Sequence, residues 1–165
     1  MAGLILTGMA AWIPGPLELH LTLVRDNRPL LILPMDPDER FTIHYYHSVE
    51  NAPIWEEHSM DRDRRIYIEE ERYEKFGAGM GKMPGVGRMV RRGNLEVIEE
   101  MHMPVGNFVL RVGSPGVDHT LIWRKKRFNL SAAVPHRAVR FSGERPGLLV
   151  RIWRRVFTPA ALLKN

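Results

Sequence analysis

Cysteine is absent from the 165-residue chain. That excludes a disulfide framework, a thiol nucleophile and a thiolate metal site, and it leaves the redox compartment open. Aromatic residues are scarce, 8% of the chain. The basic clusters at Arg88, Arg91-Arg92 and Arg124 to Arg127 have no interleaved exposed aromatics, so they read as solvated turns, with no nucleic-acid partner expected. Charge of one sign is only mildly in excess: 24 Lys and Arg stand against 19 Asp and Glu, a net +5. Such an excess favours anionic partners, a membrane surface among them, without naming one. Long hydrophobic runs are also missing at the start, where Gly3 to Ile13 is uncharged and mostly apolar for about eleven residues, short of the ~20 needed to cross a bilayer. The run lacks the positive flank of a secretory signal. It therefore reads either as the downstream part of a signal or anchor, or as a first strand or packed arm, before Pro14-Gly15-Pro16 breaks the pattern.

What the chain has is short alternation. Leu17, Leu19, Leu21 and Leu23 alternate with Glu18, His20 and Thr22, the two-residue period of a half-buried strand. Arg25 to Arg28 turns the chain, and Leu30 to Leu33 returns it. Further strands are predicted over Phe41 to Val49, Ile54 to Met60, Arg64 to Tyr73, Leu95 to Met103, Phe108 to Val112, His119 to Trp123 and Leu148 to Trp153, with a short helix in Asn129 to Val134. No long amphipathic helix separates them. The pattern predicts an all-β fold, an antiparallel β-sandwich or partly closed barrel with a long glycine-rich loop. The segments expected are an apolar N-terminal stretch (1–16), a single β domain (17–157) and a C-terminal tail (158–165).

The densest signal is Phe41 to His58, read as two strands folded back on each other. A four-residue loop over Glu50 to Pro53 sets Val49 opposite Ile54, His47 opposite Glu56, Tyr45 opposite His58 and Ile43 opposite Met60. An imidazole then meets a carboxylate in apolar company. The pair reads first as a buried hydrogen-bonded device fixing strand register, and second as a ligand site. Tyr45, His47, Glu56 and His58 share that face, so a site of two histidines and one carboxylate is the metal alternative; no metal or cofactor is assigned. His47 and Ser48 are neighbours on a strand and point to opposite faces, which argues against a Ser-His dyad. On the third strand, Ile66 and Ile68 share one face while Tyr67, Glu69, Glu71 and Tyr73 share the other. Gly77, Gly79, Gly81, Gly85, Gly87 and Gly93 then mark an irregular connection. It has no Gly-Lys followed by Ser or Thr, and no third glycine of the dinucleotide fingerprint, so the glycines read as backbone freedom.

The run His47-Ser48-Val49-Glu50, then Pro53-Ile54 and Glu56, followed by Tyr73, Phe76 and Gly77-Ala78-Gly79, resembles the family called domain of unknown function eighteen-fifty, from about Leu17 to about Arg155. Two positions depart from its pattern: His58, usually aromatic or aliphatic there, and Gly81, near where a proline commonly follows. The resemblance implies a prokaryotic protein, often with an apolar N-terminal segment and often encoded beside TAXI-type TRAP transporters. It implies a setting, not a chemistry. The expectation is a non-enzymatic accessory or binding domain, membrane-proximal in the cell envelope or periplasm and partnered with TRAP transporter components. The rivals are a small-ligand or metal-dependent enzyme, with a pocket between the central hairpin and the glycine-rich loop, and a purely structural module. The candidate structural or ligand-binding residues are His47, Ser48, Glu50, Glu56, Tyr73, Gly77 and Gly79.

Overall fold

Alternation and turn chemistry organise the chain into strands over most of its length. A computed structural model describes residues 15–74, 85–147 and 150. Its strands are β1 (Leu17–Leu23), β2 (Pro29–Met35), β3 (Arg40–Tyr46), β4 (Pro53–Met60), β5 (Ile66–Tyr73), β6 (Arg88–Arg92), β7 (Leu95–Glu99), β8 (Met103–Pro104), β9 (Phe108–Arg111), β10 (Thr120–Trp123), β11 (Lys126–Asn129) and β12 (Ala138–Glu144). The short helix α1 (Leu130–Ala133) begins where expected, because the Asn129 side chain accepts the Ala132 N–H at 2.8 Å and caps it.

The strands form two sheets in which every pairing is antiparallel. The smaller has the order β2-β1-β12-β9; the larger runs β11-β10-β3-β4-β5-β7-β6, with β8 also on β5. Both sheets keep their edges, so the architecture is a sandwich, not a closed barrel. The main core lies between them: Leu19, Leu21 and Leu33 from the small sheet meet Phe41, Ile43 and Leu121 from the large one. The small sheet approaches the β4–β5 hairpin closely at Gly143, where a Cβ would stand 2.4 Å from the Arg64 carbonyl oxygen and 2.6 Å from the Met60 sulfur. A second apolar cluster, Ile54, Tyr73, Ile98 and Met101, sits on the large sheet beside the main one.

Three strands are absent from the sequence reading. β6 lies within what reads as the glycine-rich connection; its Arg-Met-Val-Arg-Arg has little alternation because it is a polar edge strand. The basic run Arg124 to Arg127 is a turn only at Arg124 and Lys125 (φ 44° and 64°), a two-residue hairpin loop, after which Lys126 begins β11. β12 is a central strand of the small sheet, with Val139 and Phe141 fully buried. The expected segments before Pro14 and over Gly77 to Gly81 fall outside the described residues, as does the predicted last strand except for Val150, which is helical and not extended.

Candidate functional site

The hairpin of β3 and β4 corrects the predicted pairing. Its loop is six residues, 47–52, closed by the His47 N–H on the Ala52 carbonyl and the Asn51 N–H on the His47 carbonyl, both 2.9 Å. Asn51 takes φ 47°, a left-handed conformation that asparagine tolerates, and Pro53 stands at the first strand position, where a missing N–H costs least. Ile43, not His47, therefore lies opposite Glu56; Tyr45 faces Ile54 and Phe41 faces His58. The displacement is four residues, an even number, so the faces are as predicted and only the partners change. Tyr45 takes the place predicted for His47, its hydroxyl donating to Glu56 Oε1 at 2.8 Å.

A second irregularity completes the site. Between β4 and β5 the register slips after Glu57, leaving Glu69 as the extra residue of a bulge. His58 pairs with Ile68 on one side of it and Glu56 with Glu71 on the other. The bulge breaks strict alternation, so Glu71 and Tyr73 join Ile68 on the inner face rather than opposing it. Glu56 and Glu71 are thus direct cross-strand neighbours, and Tyr73, opposite Ile54, donates its hydroxyl to Glu71 Oε2. Four side chains, Tyr45, Glu56, Glu71 and Tyr73, form one polar row against Ile54, Ile98 and Met101.

Two carboxyls side by side in apolar company resist ionisation together. Burial pushes the Glu56 carboxyl above its ordinary range; the Tyr45 hydrogen bond draws it back, and the Glu71 charge raises it further. Burial likewise raises Glu71, against the pull of the Tyr73 hydroxyl. The Tyr45 and Tyr73 hydroxyls are raised too, chiefly by burial, and so remain donors. No arginine or lysine pairs with either carboxyl among the described residues. The nearest base, His58, has Nε2 3.9 Å from Glu56 Oε2. Its ring is stacked between Phe41 and Phe108 at 5.1 and 5.4 Å, and burial holds its pKa down to about 4. Its Nδ1 lies 3.1 Å from the Glu56 carbonyl oxygen, which assigns the proton to Nδ1. A neutral imidazole leaves the carboxyl pair uncompensated. On the other flank His119 stacks on Tyr45 at 5.0 Å while its Nδ1 accepts the Gly113 N–H at 2.9 Å, which fixes both rings.

Of the predicted residues, Glu56 and Tyr73 meet in this row, linked through Glu71. His47, Ser48 and Glu50 belong to the loop instead: His47 Nδ1 accepts the Glu50 N–H at 3.3 Å, and Ser48 is exposed. Gly77 and Gly79 lie outside the described residues. Among the described residues no group of three His, Asp or Glu is arranged to hold a metal ion. Glu71 and His119 were not legible as site residues. A carboxylate two residues before a motif tyrosine is a weak signal, and only the bulge gives it meaning.

Residues 41–130, which hold the hairpin, the bulge and all four members of the row, match the family model described as domain of unknown function (DUF1850). No curated protein and no solved structure matches the chain. The match spans more than half of the sequence and contains both irregularities that build the site, and the chain belongs to this family of domains of unknown function.

Proposed function

We propose that this is a non-enzymatic binding domain that seats a small organic cation, an ammonium able to donate several hydrogen bonds, on the Glu56 and Glu71 carboxyls. One observation carries the reading: two directly opposed carboxyls share an apolar wall without a cation, and the Glu56 side chain keeps 25% of its surface exposed. A buried like-charged pair is costly for a purely structural device and is relieved by a cation that replaces lost water. Tyr45 and Tyr73 hold one lone pair of each carboxyl, which orients the remaining ones. The accessory role beside a TRAP-type solute transporter, at the periplasmic face of the membrane, is the setting that the family resemblance implies for such a module.

The test is titration of the isotope-labelled chain with methylammonium and with 1,4-diaminobutane, followed by amide and carboxyl chemical shifts. Saturable shifts at Tyr45, Glu56, Glu71 and Tyr73 are expected, and their loss in Glu56→Gln/Glu71→Gln. A wild type that does not respond, combined with a double variant of higher stability, would assign the row to the fold alone.

A further inference from the structure

The far end of the β1–β2 hairpin faces the turn that leads into β12, and between them lies a cleft of about 650 Å³, within the size range of small-molecule sites. It shares no lining residue with the Glu56–Glu71 row. Both walls are pinned by backbone bonds. The Leu23 N–H donates to the Arg28 carbonyl at 2.9 Å and closes the hairpin, while the Val24 N–H donates to the Ala138 carbonyl at 3.0 Å and ties it to β12. Opposite, the Val134 N–H donates to the Leu130 carbonyl at 2.8 Å, and the Arg137 carbonyl accepts the Val112 N–H at 2.8 Å. The shape therefore exists before any ligand arrives, which lowers the ordering cost of binding.

The lining divides by chemistry. Leu23 and Val134, both nearly covered, supply an apolar floor with Ala138. Arg25, Arg28, His136 and Arg137 stand around it, against Asp26 as the acid of the lining. Asp26 compensates little: its Oδ2 is 3.8 Å from Arg28 Nε, with both side chains more than half exposed. Among the described residues Arg25 and Arg137 have no carboxylate partner, whereas Arg88, Arg92 and Arg124 elsewhere each meet two. Guanidinium forks left unpaired around an apolar floor match a carboxylate or phosphate by bidentate hydrogen bonds while the floor takes hydrocarbon.

We infer that this cleft binds an organic anion, a carboxylate or phosphate head on a short apolar body. Two sources share that chemistry, a soluble amphiphile and an anionic lipid headgroup. Octanoate titrated into the labelled full chain should shift the amides of residues 23–28 and 133–138 saturably, with inorganic phosphate binding more weakly because it leaves the floor empty. Arg25→Gln/Arg137→Gln should raise the octanoate Kd about tenfold or more. Lys125→Gln/Lys126→Gln, which removes the same charge from the exposed β10–β11 turn, should leave it unchanged. Sedimentation with phosphatidylglycerol vesicles separates the sources. Association that the arginine variant abolishes and octanoate competes away assigns a lipid headgroup; octanoate binding without association assigns a soluble anion. No saturable shift at the cleft, or an equal loss in both double variants, would overturn the site. All four substituted side chains are exposed, so a native-like amide spectrum of each variant is expected and separates lost binding from lost fold.

Discussion

The two faces of the large sheet handle charge in opposite ways. On the outer face strands β3 to β7 contribute to a lattice of opposite signs: Arg92 Nη1 meets Glu70 at 2.9 Å, Arg40 meets Glu57, Arg88 and Arg92 both reach Glu99, and Glu69 accepts from Ser59 Oγ at 2.5 Å and lies 3.0 Å from His102 Nδ1. On the inner face of the same β4 and β5, Glu56 and Glu71 oppose each other and, among the described residues, meet tyrosine hydroxyls and a neutral histidine but no arginine or lysine. Each cation of that lattice keeps more than half of its side chain exposed, so the pairs cost little to form and contribute little. Desolvated carboxyls are the reverse: they strain the fold, and they keep an affinity for whatever compensates them. The contrast separates acids that each meet a cation from a carboxyl pair that meets none among the described residues.

The largest expected effect on that contrast is at His58, whose Nε2 lies 3.9 Å from Glu56 Oε2. His58→Ala removes the ring between Phe41 and Phe108 and should cost about 2–4 kcal/mol in urea unfolding. Acid adds a second signature. The folded pKa near 4 lies below the ordinary histidine value of 6.5, so the stability His58 contributes is fully present above pH 6.5 and is lost as pH falls toward 4. At ~1.4 kcal/mol per unit that loss amounts to at most about 3 kcal/mol. His58→Phe should keep the stack and flatten this part of the profile; an unchanged acid limb would place the sensitivity elsewhere.

Next is the contact between Tyr45 and Glu56. Tyr45→Phe leaves a carboxyl without its donor and should cost ~1–3 kcal/mol. A double-mutant cycle with Glu56→Gln should show coupling, while the cycle of His47→Ala with Glu56→Gln should be additive, since the loop carries His47 away from that side chain. Coupling in the second cycle and not the first would restore the four-residue loop and its register.

Glu71→Gln should act in the opposite direction, raising stability at neutral pH by ~1 kcal/mol through loss of a buried like charge. The sign follows from the raised carboxyls. Their favourable contribution is complete below pH 4.5, the ordinary glutamate value, and is lost as pH rises through the higher folded values. Wild type should therefore lose stability over that rise more than the variant does, and the Glu56 carboxyl should titrate lower once Glu71 is neutral. A carboxyl carbon titration reads both. The smallest effect belongs to the outer face: Arg40→Ala should change stability by no more than about 0.5 kcal/mol, and less in high salt.

Much of this was written locally. The Leu17 to Leu23 alternation, the Arg25 to Arg28 turn and the short helix within Asn129 to Val134 depend on residues a few positions apart, and each was legible as such. The all-β sandwich follows from the same two-residue period repeated between turns. Even the hairpin faces were legible, because side-chain direction in a strand depends only on odd and even spacing.

Which residues meet across strands was decided by tertiary structure. A loop of six residues rather than four moved the partner of Glu56 from His47 to Tyr45, and one extra residue at Glu69 turned Glu71 and Tyr73 inward beside it. Neither insertion changes the local pattern of apolar and polar residues by more than one position. Both are selected by burying Ile54, Tyr73 and Ile98 together while the ladder hydrogen bonds stay paired, a balance among segments that meet only once the sheet has formed.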